Sequence, residues 1–262
     1  ANDSVRVDAC ELRCKVIGEG GNLGLTQLGR LEFASRGGLL NTDSIDNSAG
    51  VDMSDHEVNI KILMDLLQRQ GSIPDAAARN ERLRELTQEV IELVLTNSYS
   101  QSQALSLDAI RSRESASLFI DLVGLLERTV GLVREVEFLG DDASLLEHQV
   151  SNRGILRPVL AVLLAYAKRH AYAALLDSSL PDDPELARYL VDYFPGPLTE
   201  RFGDSLDGHR LRREIVATVL AAGAASASDV GLTSVLYPEG KSVDVPMAGT
   251  QRAPAATLSA TV

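Results

Sequence analysis

Hydrophobic positions follow two different patterns along this chain. Near the N-terminus, short apolar runs alternate with glycine-rich and polar stretches, whereas from about residue 71 to residue 225 apolar side chains recur every three to four positions. The first pattern is typical of alternating strands and helices, and the second of packed amphipathic helices. We therefore expect a mixed fold class, α/β plus all-α, in which a piece of α/β structure precedes a mainly helical domain.

The N-terminal segment, residues 1–70, is predicted to contain two strands and two helices. Residues 12–18 and 39–43 are short apolar runs beside glycine or polar residues, and each predicts a strand. One helix face is predicted between them, formed by Leu25, Leu28, Leu31 and Phe33. A second helix is predicted to open near Ser54, because Ser54 and Glu57 match a capping box.

Residues 71–225 show only helical periodicity. The predicted helices cover residues 81–95, 115–139, 158–176, 184–193, about 199–203, and 209–223. Pro158 is well placed in the first turn of its helix, where a missing backbone N–H has no cost. Residues 226–262 are rich in Ala, Ser, Thr, Pro and Gly and are predicted to be disordered.

Composition and charge narrow the range of functions. A hydrophobic fraction of 45% supports a packed core, and with only 4% aromatic residues that core must consist mainly of Leu, Val, Ile and Ala. The net charge of −12 argues against general binding to nucleic acid, whose phosphates favour a basic surface. The densest basic stretch, Arg210 to Arg213, is followed directly by Glu214 and is interpreted as a solvated helix face.

The two cysteines, Cys10 and Cys14, are interpreted as reduced structural thiols. A secreted chain of this size more often carries a disulfide framework, and a zinc site requires four ligands. No apolar run reaches the length of a transmembrane helix, and the first residues lack the organisation of a signal peptide. These features predict a cytoplasmic protein without a membrane or a metal as partner.

A glycine-rich stretch, G-E-G-G-N-L-G at residues 18–24, is the first candidate for chemistry. Glycines of this kind bind phosphates when they let the backbone approach the anion and a helix follows. The stretch does not match the G-x-G-x-x-G pattern of dinucleotide-binding loops, and such a pattern is weak evidence on its own. A nucleotide-binding loop and a purely structural turn both remain possible.

The second candidate is the polar stretch at residues 41–57, which contains four Asp, two Asn and three Ser. It follows a predicted strand, where α/β folds place their ligand sites. The alternative is a loop that merely caps the next helix, since Asp, Asn and Ser are common in turns. The number of polar residues exceeds what one turn needs, which favours a functional loop.

Other catalytic arrangements have little support. Ser54 and His56 lie two residues apart on a predicted helix and point in different directions, so a Ser/His/Asp triad is not expected. The remaining histidines are interpreted as packing or surface residues: His148, His170 and His209. The paired carboxylates precede predicted helices, where they favour the helix dipole: Asp141 with Asp142, and Asp182 with Asp183.

Residues 4–225, and most densely residues 13–64, resemble the C-terminal part of the catalytic region of the large bacterial NAD-specific glutamate dehydrogenases. The resemblance rests on V-I-G-E-G-G-N-L-G-L-T-Q-L-G-R and on N-T-D-S-I-D-N-S-A-G-V-D-M-S-D-H-E, two long motifs in the same order. Residues 88–108 and 209–220 are similar to the downstream helices of that family.

Both motifs also resemble those of the smaller glutamate dehydrogenases, E-G-A-N-x-P-T-T and N-A-G-G-V-x-x-S. Residues 19–22 align with the start of the first motif, and Thr26 aligns with its last threonine. Residues 47–51 align with the start of the second motif, and Ser54 aligns with its serine. The resemblance implies these cofactor-binding residues: Glu19, Gly20, Gly21, Asn22 and Asn47. It also implies that Val51 and Ser54 line the substrate pocket, with the Ser54 hydroxyl donating to the side-chain carboxylate of glutamate.

The resemblance implies an NAD-dependent enzyme that interconverts L-glutamate and 2-oxoglutarate with release of ammonia, and a homo-oligomer at full length. It further implies a C-terminal piece of a Rossmann-like domain over residues 1–70 and a helical C-terminal domain over residues 71–225. The family's catalytic lysine and aspartate find no match in this chain, since Lys15 lies within a predicted strand and Lys61 well inside a predicted helix. We therefore expect a fragment that is inactive alone.

A second hypothesis belongs to another functional class. The chain also fits a non-catalytic interaction or regulatory module that keeps a vestigial α/β edge. This interpretation is supported by its mainly helical pattern, its negative net charge and the absence of the family's catalytic lysine and aspartate from the sequence. From about residue 222 the family pattern is lost, which favours the first hypothesis, a fragment or truncated product.

Overall fold

The structure, a computed structural model, describes residues 3–150 and 154–226, and α-helices dominate these ranges. The helices are α1 (Gln27–Ser35), α2 (Asp43–Asp46), α3 (Ser48–Arg69), α4 (Ala76–Glu85), α5 (Thr87–Glu114), α6 (Ala116–Val130), α7 (Arg134–Glu137), α8 (Asp142–Val150), α9 (Arg157–Asp177), α10 (Arg188–Tyr193), α11 (Gly196–Phe202) and α12 (Arg212–Ser226). Short 3-10 turns lie between several of them. From residue 227 onward, the predicted disordered tail lies outside the described residues.

The predicted strands are reduced to a single parallel β-bridge between Val16 and Leu39. The Ile17 N–H donates to the Leu39 carbonyl at 2.9 Å, and the Leu39 N–H donates to the Lys15 carbonyl at 2.9 Å. Within residues 3–150 and 154–226 no longer ladder forms, so a Rossmann-like sheet is not seen. The two segments do run side by side at this bridge, but among the described residues neither has the further neighbours that a strand needs.

Helix α1 confirms a predicted helix but buries a different face. Thr26 caps it, since its Oγ1 accepts from the Gly29 N–H at 3.1 Å. Leu28, predicted on the buried face, is 56% exposed, whereas Arg30 is only 7% exposed. The expected face was therefore wrong at Leu28, because the buried side of α1 is organised around a charged residue that finds partners in the neighbouring segments.

Helix α3 begins at Ser48, so the capping box predicted at Ser54 and Glu57 is wrong. The short helix α2 ends at Asp46, and Asn47 alone separates it from α3. Ser54 therefore lies one and a half turns inside the helix, where its hydroxyl donates to the Val51 carbonyl at 2.7 Å. A capping-box pattern is local, and it cannot exclude that the helix has already started upstream.

In the structure, two of the long helices predicted for the C-terminal region are interrupted. The helix predicted over residues 81–95 is divided at Leu86, where α4 ends and α5 begins. The helix predicted over residues 115–139 ends at Gly131, whose left-handed φ of 69° closes α6. As a result, Val133 and Val136, expected on the apolar stripe, are exposed.

Two large hydrophobic clusters form the core. The first surrounds α9 and buries Ile45, Leu105, Phe119, Leu122, Val123, Leu126, Leu132, Leu139, Leu145, Ile155, Val159, Leu160, Ala161, Leu163, Leu164 and Ala167. The second buries Ile60, Leu63, Met64, Leu67, Ile73, Leu86, Leu190, Phe194, Leu198, Leu206, Ile215, Val216 and Leu220. Each cluster combines residues from both sides of residue 70, so the N-terminal segment packs directly on the helical region.

Helix α9 is the central element of the first cluster. It starts at Arg157 with Pro158 in its first turn, as predicted. Within the described part of the chain, α9 is also the one helix whose length and apolar composition would suffice to cross a membrane. Its N-terminal half supplies Val159, Leu160, Ala161, Leu163 and Leu164 to the core.

Replacing the fully buried Leu160 with Ala should lower the free energy of unfolding by about 2–5 kcal/mol, because α9 loses apolar contacts and leaves a cavity. Chemical denaturation followed by far-ultraviolet circular dichroism measures this change. The matched control is Leu95→Ala on α5, where the side chain is 61% exposed and the effect should be small. Equal losses in both variants would contradict the central position of α9.

Candidate functional site

The structure brings the two sequence motifs together through their asparagines. Asn47 Nδ2 donates to Asn22 Oδ1 at 2.9 Å, although 25 positions separate the two residues along the chain. The Asn47 side chain does not cap α3, even though it stands at the N-terminus of that helix. In the described part of the chain, the side-chain nitrogen Nδ2 of Asn22 and the side-chain oxygen Oδ1 of Asn47 have no hydrogen-bond partner.

Helix α2 holds the glycine-rich segment in place by two carboxylates. The Leu23 N–H donates to Asp43 Oδ2 at 2.8 Å, and the Glu19 N–H donates to Asp46 Oδ2 at 3.0 Å. Leu23 has a φ of 62°, a left-handed conformation that is rare for a residue with a branched apolar side chain. Such strained positions cluster at functional sites, where the surrounding structure holds them.

A buried ion pair connects the same segment to α1. Arg30 donates from Nε to Glu19 Oε1 and from Nη2 to Glu19 Oε2, both at 2.7 Å, and Nη2 also lies 3.2 Å from Asp43 Oδ1. Glu19 is 4% exposed. The hydrogen bond to Glu19, together with the nearby acidic groups, raises the pKa of Arg30 despite its burial. The Glu19 carboxylate is thus engaged within the protein.

The glycines of this segment have no structural requirement of their own. A Cβ atom placed on Gly18, Gly20 or Gly21 would meet no other atom within 4 Å. None of the three has a positive φ. Glycine is required where φ is positive or where another group approaches the backbone closely, and within the described residues neither reason applies to these three glycines.

Gly50 has a different reason to be a glycine. A Cβ atom at this position would lie 3.2 Å from Asn47 Oδ1, so a side chain here would press on the Asn47 amide. Gly50 therefore leaves the space in which Asn47 reaches Asn22. This role was not anticipated from the sequence, although Gly50 lies within the second motif.

The two predicted substrate residues lie on the outer face of α3. Val51 is 60% exposed, and Ser54, three positions further, is also exposed. Spacing of three residues places both side chains on the same side of the helix. Lys61, dismissed as a catalytic lysine, is paired with Glu57 on the surface of α3, and Lys15 contributes its carbonyl to the β-bridge.

Arg157 connects the site segment to the helical region. Its Nε donates to Asn41 Oδ1, its Nη1 to Ser106 Oγ at 2.9 Å, and its Nη2 to the Ser102 carbonyl at 2.8 Å. Asn41 in turn donates from Nδ2 to Asp46 Oδ1 at 2.6 Å. Burial lowers the pKa of Arg157 and nearby Asp46 opposes that effect. One side chain thereby joins α2, α5 and α9.

The inward face of α3 carries a second polar group, centred on His56. The ring of this 1%-exposed histidine stacks on Tyr193 with centroids 4.3 Å apart. Among the described residues neither ring nitrogen has a hydrogen-bond partner, and Nε2 lies 3.7 Å from Asp52 Oδ1. Burial lowers the pKa of His56, and the attraction of Asp52 and Asp55 opposes this effect only in part.

Two further groups beside His56 have shifted pKa values. Burial raises the pKa of Tyr193 to about 12, and its hydroxyl accepts a hydrogen bond from Asn59 Nδ2 at 2.8 Å. Burial also lowers the pKa of Lys168, which donates to Gln101 Oε1 at 2.7 Å. These groups tie α3, α5, α9 and α10 together behind the predicted substrate face.

No metal centre is found in the part of the chain that the structure describes. Cys10 and Cys14 are free and exposed. An open cleft of about 430 Å³ lies between α4 and α11, where Arg82 and Arg201 contribute to its wall. None of the predicted site residues lines this cleft.

Arg30, Asp43 and Asp46 organise the site, yet their roles were not recognised in the sequence. The spacing along α1 could have identified Arg30. Gln27, Arg30 and Phe33 are three positions apart, so Arg30 lies on the inward face of the helix. A charged residue on such a stripe indicates a buried partner. No comparable pattern identifies Asp43 and Asp46 among the other acidic residues of the polar loop.

Replacing His56 with Phe should reduce the loss of stability on acidification. Because folding lowers the pKa of His56, the unfolded chain binds the additional proton, so stability falls as the pH drops below about 6.5 and is retained above it. Phenylalanine keeps the stacking on Tyr193 and removes the titration. Thermal denaturation between about pH 5.5 and pH 7.5 tests this expectation.

The control variant for that experiment is His170→Phe. Burial also lowers the pKa of His170, but this ring is partly exposed, so its replacement should flatten the pH dependence less. An unchanged pH dependence in the His56 variant would show that the buried ring is not responsible for the acid sensitivity.

Comparisons with known proteins agree with these motifs. Residues 1–108 match the family model for the bacterial NAD-glutamate dehydrogenase catalytic domain, and residues 152–235 match the model for the glutamate dehydrogenase C-terminal region. The chain is 48% identical over 221 residues to the NAD-specific glutamate dehydrogenase of Halomonas elongata, and 49% identical over 221 residues to that of Pseudomonas aeruginosa. It is 43% identical over 220 residues to that of Mycobacterium tuberculosis.

Each of these alignments covers 84% of this chain and 14% of the relative, so the chain spans about one seventh of the length of the curated relatives it matches. The resemblance seen in the two motifs is confirmed, and it extends into the helical region. The chain belongs to the bacterial NAD-specific glutamate dehydrogenase family.

Proposed function

We propose that this chain forms part of an NAD-dependent glutamate dehydrogenase, which converts L-glutamate, NAD and water to 2-oxoglutarate, ammonia and NADH. The single observation that carries the proposal is the hydrogen bond between Asn22 and Asn47, which joins the two motifs at one place. The chain supplies one edge of the cofactor site and one side of the substrate pocket. We propose that the chain is inactive alone, because the family's catalytic lysine and aspartate find no match within it.

NAD fits the donor set at this edge. The nicotinamide carboxamide needs both a donor and an acceptor, and the unused amide groups of Asn22 and Asn47 offer one of each. Gly20 and Gly21 let the backbone approach the cofactor closely, and Glu19 contributes through its backbone and its pair with Arg30. When bound, NAD accepts the hydride, while the protein supplies binding and orientation.

The substrate pocket is proposed to include the exposed face of α3. Val51 offers an apolar contact to the methylene groups of glutamate, and Ser54 donates its hydroxyl to the side-chain carboxylate. That hydroxyl donates to the Val51 carbonyl in the structure, so it must rotate away from the helix to bind the substrate. A serine hydroxyl can do so because its rotation is unhindered.

The remaining parts of the proposal concern the larger protein. Val16 and Leu39, both exposed, mark the edge at which residues 1–70 add to a Rossmann-like sheet. The boundary at residue 70 separates a cofactor-binding segment, residues 1–70, from a helical domain, residues 71–225. The two share a hydrophobic core, so the boundary divides roles and not packing units. We place the whole protein in the cytoplasm as a homo-oligomer that binds neither nucleic acid nor membrane.

One observation favours the second candidate, a non-catalytic helical interaction module. The described chain keeps only one β-bridge, which fits a vestigial α/β edge. The two candidates differ in cofactor binding: calorimetry with NAD on the complete gene product should show binding for the dehydrogenase and none for the module.

Replacing Asn22 with Ala in the complete gene product should raise the KM for NAD at least about tenfold, because the carboxamide loses a partner and Asn47 loses its own. Steady-state assays of glutamate-dependent NADH formation measure this change. The matched control is Asn80→Ala on exposed α4, which should leave both KM values unchanged. An unaltered KM for NAD in the Asn22 variant would refute the cofactor role.

Replacing Gly20 with Ala should preserve or slightly increase stability, since the added Cβ meets no atom of the protein and reduces the freedom of the unfolded chain. The same change should raise the KM for NAD, because the methyl group occupies the space of the approaching cofactor. Gly203→Ala, at another uncrowded glycine, is the control for both measurements. If the Gly20 variant bound NAD normally, the glycine would have no cofactor role.

A further inference from the structure

Arg30 is a buried cation that pairs with acidic groups around the glycine-rich segment. Its guanidinium contacts the Glu19 carboxylate through two hydrogen bonds of 2.7 Å and approaches Asp43 Oδ1 at 3.2 Å. Its remaining nitrogen, Nη1, donates to Gln27 Oε1 at 3.4 Å. The three contacts use all sides of one planar group, which a lysine ammonium could not reproduce.

The partners of Arg30 determine the shape of the backbone around Asn22. Asp43 accepts from the Leu23 N–H with its other oxygen, Oδ2, at 2.8 Å, so one carboxylate joins Arg30 to the residue after Asn22. Leu23 is 87% exposed and has a left-handed φ, and the packing of its side chain does not explain that conformation. The bond to Asp43 is the contact that holds it.

Both ends of the segment are thereby fixed by the same charged group. Glu19 is anchored at its side chain by Arg30 and at its N–H by Asp46, while Leu23 is anchored by Asp43. The intervening residues, Gly20 to Asn22, are exposed and have no comparable anchor in the described chain apart from Asn47. The direction of the Asn22 side chain therefore depends on its two anchored neighbours.

We infer that Arg30 is a positioning residue for the cofactor site. It touches neither cofactor nor substrate, and it acts by holding Glu19 and Asp43 so that Asn22 meets Asn47 in the orientation that binds the nicotinamide. The burial of the Glu19–Arg30 pair supports this inference, because a buried ion pair adds little net stability, whereas its two hydrogen bonds of 2.7 Å fix the direction of the Glu19 side chain. The inference rests on the proposed function for its kinetic readout.

The test uses the complete gene product with Arg30→Lys, which keeps the charge and loses the two-pronged contact. The KM for NAD should rise at least about tenfold with a fall in kcat, because displacements near 1 Å have large effects on bound reactants. The KM for glutamate should stay within about twofold, since Val51 and Ser54 lie on α3 outside the Arg30 contacts. A purely structural role would lower the amount of active enzyme and leave the KM for NAD unchanged.

The matched control is Arg36→Lys, at an arginine near the end of the same helix. Arg36 forms an exposed pair with Glu32 at 3.2 Å, and this substitution should change neither KM. A second variant, Asp43→Asn, removes the charge facing Arg30 and keeps an oxygen for the Leu23 N–H. It should raise the KM for NAD about threefold, and it decides the question if Arg30→Lys does not fold.

Amide hydrogen exchange of the same proteins separates this inference from the proposed function. In Arg30→Lys, exchange should accelerate over residues 19–24 and remain unchanged over residues 60–67 in the core of α3. If the unmodified enzyme reduced no NAD with glutamate, the proposed function would fail, and the exchange data alone would decide the role of Arg30. Unchanged exchange over residues 19–24, or an unchanged KM for NAD in both variants, would overturn the inference.

Discussion

The burial of helix α9 is the constraint on which the described structure depends. Its N-terminal half is apolar on nearly every side, so it is stable in water only when other elements cover it. Helices α1, α2, α5, α6 and α12 all contact it. Because α1 and α2 are among these helices, the two motif-bearing segments are held against the same core that organises the C-terminal region.

The polar contacts around Glu19 and Arg30 fix the conformation of the glycine-rich segment more than they stabilise the fold. Glu19 and Arg30 lose most of their hydration, and their mutual attraction mainly offsets that cost. What the pair adds is a single arrangement for a segment whose glycines would otherwise leave it free to adopt many. Asp43 and Asp46 extend that order from α2, and Gly50 leaves room for Asn47. A flexible sequence is thereby held in one shape at the place where the motifs meet.

The sequence predicted the parts of this structure that depend on local pattern. The helical character of the C-terminal region follows from its periodicity, and the first turn of α9 at Pro158 follows from proline geometry. The family was recognised from the resemblance of the two motifs. The predicted strands did not form as strands, because a strand depends on neighbours that a short apolar run does not reveal. The start of α3 was misplaced because a true N-terminus and an internal Ser-x-x-Glu share one pattern.

The residues of the candidate site also differ in whether the sequence or only the fold identifies them. Asn22 and Asn47 are predicted from their motifs and remain a prediction, whereas the burial of Arg30 and His56 depends on contacts between segments distant in sequence. Arginine and histidine are found more often at the surface, so their types argue against burial, and only the fold reveals their partners. For His56 in particular, no feature of the sequence indicates that Tyr193 stacks on its ring.

The contacts of Arg157 have a consequence for the evolution of these enzymes. One guanidinium contacts Asn41 ahead of α2 and Ser102 and Ser106 on α5, so that with Arg157 itself the contacts join three separate stretches of the gene. A substitution of Arg157 removes a partner from all three acceptors at once, and a substitution of any acceptor leaves part of the half-buried guanidinium unpaired, so single changes are selected against. Lineages should therefore keep the four residues together or replace them jointly, and an exchange of segments between distant relatives would succeed only where the arginine and its acceptors are inherited from one parent.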